Sequence, residues 1–157
     1  LAFPSILLAI AVVAVLGPSF VNVIIAVGIS SVPRFARLVR GVVLELRERD
    51  FVLAARAVGE RPAAIIARYL APGTTTAITV EATIRMATLL LVAAGLNFLG
   101  LGVQPPTPEW GAMLANARDY MFVAPHVTIA PGVAITLVVI GFNLVGDALR
   151  DAVDPRT

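Results

Sequence analysis

The sequence predicts an all-α membrane protein with about four membrane-spanning helices and one polar helix-turn-helix between them. Of its 157 residues, 59% are hydrophobic and 14% are charged, whereas a soluble domain has about 45–50% and about 25%. The hydrophobic residues are gathered into long runs, and the basic residues beside those runs are all arginines. Retention of arginines on one side of a membrane explains this pattern, so no nucleic-acid partner is expected.

The first two spans are predicted from the runs that precede residue 33. Leu1 to Leu16 is an apolar run of about 16 residues, short of the roughly 20 that cross a bilayer. We therefore expect a first span that begins before Leu1, in a chain truncated at its N-terminus. The sequence 17–19 (Gly-Pro-Ser) predicts a tight turn, after which the second span begins near Phe20 and is apolar to Val32.

Arginines follow the second span at Arg34, Arg37 and Arg40. Their spacing of three places them near one helical face, from which long side chains reach the lipid headgroups. A polar stretch over residues 41–72 comes next, and its second half predicts two short helices joined at a glycine. The first helix is expected to have its apolar face at Phe51, Ala55 and Val58.

Glycines and prolines define the boundaries of this predicted helix-turn-helix. Gly59 supplies the left-handed conformation that ends a helix. Pro62 suits the first turn of the second helix, where its missing N–H would have no partner. We expect Pro72-Gly73 to close that helix and Thr74 to be the N-cap of the third span.

The third span is predicted to reach about Leu101, and an outer loop over residues 102–126 follows it. This loop begins with prolines and continues from Glu109 as a short helix that reaches Met121. The last span is predicted from about Val127 to Val145. Asn97, near the end of the third span, is interpreted as an interhelical hydrogen-bond donor rather than a substrate ligand.

The arginines also predict the orientation of the chain. Eight of them fall between residues 34 and 70, at positions 34, 37, 40, 47, 49, 56, 61 and 68. The C-terminal tail adds Arg150 and Arg156, whereas the outer loop has only Arg118 and the first turn has none. Cytoplasmic loops carry the excess of basic residues, so residues 41–72 and the C-terminus are expected in the cytoplasm.

The helix-turn-helix resembles a loop of bacterial ABC importer permeases. That loop has the pattern Glu-Ala-Ala, three residues, Gly, about nine residues, and a hydrophobic stretch ending in Pro. Ala54, Ala55, Gly59 and Pro72 stand at those positions, and Leu53 stands where the pattern has glutamate. The role of that glutamate is therefore absent here.

Two further motifs narrow the resemblance to the dipeptide/oligopeptide/nickel group, and to its C-type inner-membrane subunit. They are residues 97–111 (NFLGLGVQPPTPEWG) and 142–156 (FNLVGDALRDAVDPR). Residues 1–5 also look like the span that the family places before these elements. The resemblance covers essentially residues 1–157, which would then form part of one permease domain in a bacterial cytoplasmic membrane.

The resemblance implies a heteromeric importer. Two permease subunits form the path, two ATP-binding subunits lie on the cytoplasmic face, and an extracytoplasmic binding protein delivers the substrate. ATP and Mg²⁺ belong to the partner ATPases, so this chain would bind no cofactor and would not itself be an enzyme. Without cysteine or lysine, and with a single histidine, the sequence offers no metal site, catalytic residues or phosphate-binding loop.

The same resemblance implies that the loop couples the permease to the ATPase. The residues concerned are Ala54, Ala55, Arg56, Gly59, Glu60 and Pro72. Ala54 and Ala55 would allow close approach, and Gly59 would set the angle between the helices. Arg56 and Glu60 stand four apart and would pair with each other or with the ATPase. The alternative is a linker helix lying on the membrane.

Glu81 and Arg85 are the charged residues predicted inside a span. A charge at the bilayer centre costs about 2.5–3.5 kcal/mol on insertion scales, so both side chains should face protein or water. At a spacing of four they can pair along one helix face. Two roles stay open: a structural pair that holds this span to its neighbours, or a lining of the path that meets the charged ends of a peptide.

The predicted function is therefore ATP-driven import of di- or oligopeptides. Nickel or another small solute remains an alternative, since the binding protein sets the substrate in this group. A different class, an ion-coupled secondary transporter or channel, would need polar intramembrane clusters and broken helices. Only Glu81 and Arg85 hint at such clusters.

Overall fold

The computed structural model describes residues 4–153, and every regular element in that range is helical. The α-helices are α1 (Ser5–Leu16), α2 (Phe20–Leu46), α3 (Asp50–Ala57), α4 (Pro62–Ile65), α5 (Ala71–Phe98), α6 (Trp110–Ala117) and α7 (Pro125–Val153). A π-helical segment (Ile66–Leu70) joins α4 to α5, and a 3₁₀ turn (Arg118–Tyr120) follows α6. The predicted all-α fold is confirmed, while the start of the first span and the tail from residue 154 lie outside the described residues.

Three helices within residues 4–153 are long and apolar enough to cross a membrane. They are Phe20–Leu46, the continuous helix Pro62–Phe98 and Pro125–Ala152. The first of the four predicted spans corresponds to α1, of which the described part has 12 residues. The turn between α1 and α2 and residues 99–124 lie at one end of the bundle, which we call the outer end after the predicted outer loop. Residues 47–61 lie at the other, the arginine-rich end.

The turn between α1 and α2 agrees with its prediction. Gly17 has a φ of 87°, which a residue with a side chain rarely adopts. Ser19 caps α2, because its hydroxyl accepts a hydrogen bond from the N–H of Asn22 at 3.2 Å. The Asn22 amide donates to the carbonyls of Leu16 and Gly17, at 2.9 Å each. These bonds hold α1 against α2, where Ala9, Val13, Val23, Ala26 and Val27 form a buried core with Leu96 of α5.

The predicted break at Pro72-Gly73 is wrong, because the helix continues through it into α5. The N–H of Ala71 bonds to the carbonyl of Ile66, five residues back, which is the bonding of a π turn. A proline ring crowds the carbonyl four residues before it, and for Pro72 that residue is Arg68, inside the wider π turn. Thr74 is accordingly no N-cap, and its hydroxyl donates to the carbonyl of Ala71 at 2.8 Å.

The outer end of α5 is closed by a glycine turn. Gly100 has a φ of 74°, and its N–H bonds to the carbonyl of Asn97 at 2.9 Å, so α5 ends at Phe98 rather than near Leu101. The buried Asn97 side chain accepts from the N–H of Val103 at 2.7 Å and donates to the carbonyl of Ala93 at 2.9 Å. Its predicted interhelical role is wrong, since both bonds stay within α5 and the loop that follows.

Two glycines set how closely the outer and inner parts pack on α5. A Cβ on Gly111 of α6 would lie 2.9 Å from the Ala94 carbonyl carbon and still closer to its oxygen. A Cβ on Gly146 would lie 2.8 Å from Cγ1 of Ile84. The helix α7 itself continues to Val153, beyond Val145, where the last span was predicted to end.

The short helix of the outer loop begins at Trp110, one residue after its predicted start. Glu109 is its N-cap, and the carboxylate accepts a hydrogen bond from the N–H of Ala112 at 2.9 Å. The helix and its 3₁₀ turn reach Tyr120, one residue before the predicted end. Thr128 of α7 donates its hydroxyl hydrogen bond to the carbonyl of Ala117 at 3.1 Å. This bond joins α6 to α7.

Candidate functional site

The helix-turn-helix forms as the sequence predicts, with a glycine at its corner. Gly59 has a φ of 82°. Its N–H bonds to the carbonyl of Arg56 at 3.0 Å, and the N–H of Glu60 bonds to the carbonyl of Ala55 at 3.1 Å. This pair of bonds satisfies carbonyls that the end of α3 would otherwise leave open. Pro62 then stands in the first turn of α4, as expected.

The face of α3 that packs on the protein differs from the prediction. Val52 is fully buried and Ala55 is 6% exposed, and both pack with Ile65 and Leu70. Phe51 and Val58 were predicted on this face, but they are 48% and 83% exposed. Both predicted and observed faces have helical spacing, and the hydrophobic contacts with Val43, Leu46 and Tyr69 select the one centred between Val52 and Ala55.

The opposite face of α3 is an exposed ridge that points away from the bundle. It consists of Asp50, Leu53, Ala54 and Ala57, all exposed. Their spacing of i, i+3, i+4 and i+7 places them on one line along the helix. We call these four residues the α3 ridge. The structure therefore separates the two predicted small residues: Ala54 lies on the ridge, and Ala55 lies beneath it.

The predicted pair of Arg56 and Glu60 is not formed. Glu60 instead accepts a hydrogen bond from Nη1 of Arg68 at 3.0 Å. Gly59 turns the chain out of α3, so Glu60 is no longer one helical turn beyond Arg56 on the same cylinder. Within residues 4–153, Arg56 and Arg61 belong to none of the ion pairs. Both guanidinium groups are therefore available beside the ridge.

Pro72 is the predicted coupling residue that lies apart from this surface. It is exposed in the first turn of α5, about 15 Å along the helix from Pro62 at 1.5 Å per residue. Pro72 thus belongs to the continuous helix and not to the corner between α3 and α4.

The second candidate site is an ion cluster that joins two long helices. Oε1 of Glu81 accepts from Nε of Arg85 at 3.0 Å, which is the pair that the sequence predicts. The same oxygen accepts from Nε of Arg34 on α2 at 2.7 Å. The spacing of the arginines predicts instead that Arg34 reaches the lipid headgroups. The sequence around Arg34 does not show how α2 is aligned with α5, and this alignment brings Arg34 to Glu81. Glu81 thus links α2 to α5.

The depth of this cluster follows from helix geometry. Glu81 is about 26 Å from Phe98 at 1.5 Å per residue, and the hydrocarbon core is about 30 Å thick. Counted from the outer end of α5, the cluster therefore lies near the arginine-rich edge rather than at the centre. The Arg34 side chain is 56% exposed, whereas Glu81 and Arg85 are 20% and 23% exposed. The free-energy cost of placing charges in the bilayer is lower at this depth than at the midplane.

We expect Glu81→Gln to destabilise the protein by about 1–3 kcal/mol, because the amide removes the negative charge that two arginines share at a partly buried position and its neutral oxygen accepts weaker hydrogen bonds. The measurement is thermal unfolding of the assembled complex in detergent. Glu48→Gln is the matched control, since Glu48 pairs with Arg47 on the surface and exposed pairs contribute little. A changed substrate specificity with unchanged stability would contradict the structural role and place Glu81 in the path.

Together these features define a class, that of polytopic membrane proteins with a polar helix-turn-helix at one end of the bundle. The chain matches, over residues 1–157, the family described as binding-protein-dependent transport system inner membrane component. It belongs to this family. The fold and the helix-turn-helix described above are thus those of a component of a membrane transport system.

Relatives in two bacteria refine this comparison. The chain is 57% identical over 155 residues to the glutathione transport system permease protein GsiD of Escherichia coli O1:K1 / APEC. The same identity and length hold for GsiD of Shigella flexneri serotype 5b (strain 8401). Each match covers 99% of this chain and 51% of the relative. The chain therefore spans about half the length of the curated relatives it matches.

Proposed function

We propose that this chain is the membrane-spanning part of an ATP-driven importer that moves di- or oligopeptides across a bacterial cytoplasmic membrane. The observation that carries the proposal is the exposed α3 ridge, held in place by the buried Val52 and Ala55. A rigid exposed helix at one end of a membrane bundle is a surface on which another protein can act. The family match supports a transport role for the bundle that carries it.

The proposed division of labour leaves the chemistry to other subunits. Two ATP-binding subunits bind ATP with Mg²⁺ and seat the α3 ridge and the Gly59 corner. A second permease subunit completes the path, and an extracytoplasmic binding protein supplies the substrate, in keeping with the family's description. The eight arginines between residues 34 and 70 favour a cytoplasmic position for the corner.

The proposed substrate class follows the relatives. GsiD carries the name of a glutathione transport system permease, and glutathione is a tripeptide with two carboxylates. Peptides are therefore the first class to test, and nickel or another small solute is the alternative within the same kind of transporter.

The rival class is an ion-coupled secondary transporter or channel, which needs no ATPase. Such proteins use broken helices and polar groups near the midplane. Within residues 4–153, the ion pairs that involve a long helix are the Glu81 cluster and the surface pairs of Arg49 with Glu45 and of Arg68 with Glu60, and none of them lies at the midplane. This arrangement favours the ATP-driven class.

The test is to purify the full-length permease with the ATP-binding subunits of its own transport system and reconstitute the complex in vesicles. We expect uptake of labelled glutathione or a dipeptide to require ATP and the binding protein. A proton or sodium gradient should not replace ATP. Uptake that follows an ion gradient without ATP, or a permease that never retains an ATP-binding subunit, would overturn the proposal.

A further inference from the structure

The α3 ridge has the residue spacing of a helix that docks in a groove. Helices bound in this way present anchors at i, i+3, i+4 and i+7. The ridge has Asp50, Leu53, Ala54 and Ala57 at those positions, and all four are exposed. Leu53, 45% exposed, is the one large apolar side chain among them.

The ridge cannot turn inward, because the opposite face of α3 is already buried against the rest of the protein. Val52 is fully buried, Ala55 is 6% exposed, and both pack against Leu70 and Leu46. Phe51 is held from the side by Tyr69, with ring centroids 6.1 Å apart. Rotating α3 to bury Leu53 would expose Val52. Leu53 therefore stays at the surface until a partner covers it.

We propose that Leu53 is the apolar anchor of the contact with the ATP-binding subunit, which seats it in an apolar pocket of a groove. This inference rests on the proposed function and adds the chemistry of the partner's surface. The exposed Ala54 and Ala57, which both follow Leu53 in the ridge, let the groove walls approach the helix backbone. A side chain larger than alanine at position 57 would hold them apart.

The positive charges near the ridge indicate which charged groups the edge of that groove carries. Arg56 and Arg61 make no ion pair within the described part of the chain. Their partners in the complex are carboxylates of the ATP-binding subunit, placed beside the apolar pocket. A carboxylate at position 53 would require a cation or donor in the same pocket. Leu53 requires neither, and an apolar pocket would reject a glutamate because its charge would be buried without a partner.

The experiment measures binding of the ATP-binding subunit to the full-length permease pair in nanodiscs. We expect Leu53→Glu to weaken binding at least about tenfold, since it loses a buried leucine and buries a charge. Leu53→Met keeps the volume and the apolar character, so its dissociation constant should stay within about threefold. Leu53 is exposed, and correct folding of each variant is checked by size-exclusion chromatography.

A matched pair of alanines tests the groove walls. Ala57 lies on the ridge and Ala63 lies on α4, and both are exposed. Ala57→Leu should weaken binding and Ala63→Leu should leave it unchanged. Equal binding by wild type and Leu53→Glu overturns the inference while leaving the proposed function intact. Absence of any binding by the wild-type permease pair overturns both.

Discussion

Replacing Gly111 with valine is expected to remove most of the folded protein from the membrane. A Cβ at this position would lie 2.9 Å from both the Cα and the carbonyl carbon of Ala94, and closer still to the carbonyl oxygen. Backbone atoms cannot rotate away as a side chain does, so α6 has to separate from α5. Overpacking typically costs about 1–3 kcal/mol and occasionally more, and a clash with backbone belongs at the upper end.

The measurement for Gly111→Val is the amount of monodisperse complex in detergent extracts and its melting temperature. Gly95→Ala is the control, because Gly95 is the next residue on α5 after Ala94 and a Cβ there would meet no atom within 4 Å. Gly95→Ala should leave both quantities unchanged or raise them slightly, since alanine favours a helix interior. A Gly111→Val complex as stable as wild type would show that α6 does not depend on this contact.

We expect Gly59→Glu to leave the protein inserted but to lower ATP-dependent uptake more than tenfold. A Cβ on Gly59 would meet no atom within 4 Å, so the new side chain fits the isolated fold. The backbone strain of a φ near 82° costs only about 1–2 kcal/mol. The added carboxylate, however, lies at the corner where the proposed ATPase contact forms. Formation of that contact would remove the water that hydrates this charge.

Uptake and ATP hydrolysis are measured in the same vesicles, because uncoupling means that hydrolysis continues without transport. Gly59→Asn is the control for backbone strain, since asparagine tolerates the left-handed conformation and carries no charge. It should transport nearly as well as wild type. Wild-type uptake by Gly59→Glu would exclude the corner from coupling.

Local signals in the sequence predicted most of the fold. Gly17, Gly59 and Pro62 stand where a turn or helix boundary requires their particular backbone, and these positions are confirmed. Pro72 was wrongly predicted as a helix end, because whether a proline interrupts a helix depends on the backbone of the turn before it. The π segment that accommodates the ring ends at Leu70, which packs with Val52 of α3, and no local pattern reveals this contact.

The candidate site was predicted in position but not in orientation. Apolar residues occupy several faces of α3, so spacing alone could not say whether Phe51 or Val52 faces the protein. Contacts with Leu46 and Leu70 decide this, and they come from other helices. The link from Arg34 to Glu81 crosses 47 positions of the sequence, and the register that creates it depends on packing along two whole helices.

The helix that runs unbroken from Pro62 to Phe98 has a mechanical consequence. Its 37 residues extend for about 55 Å at 1.5 Å per residue, so the Gly59 corner and the seat of α6 at Ala94 lie near opposite ends of one rod. An axial push at the corner reaches α6 without crossing a loop. The Glu81 cluster lies near the middle of this rod and joins it to α2 through Arg34.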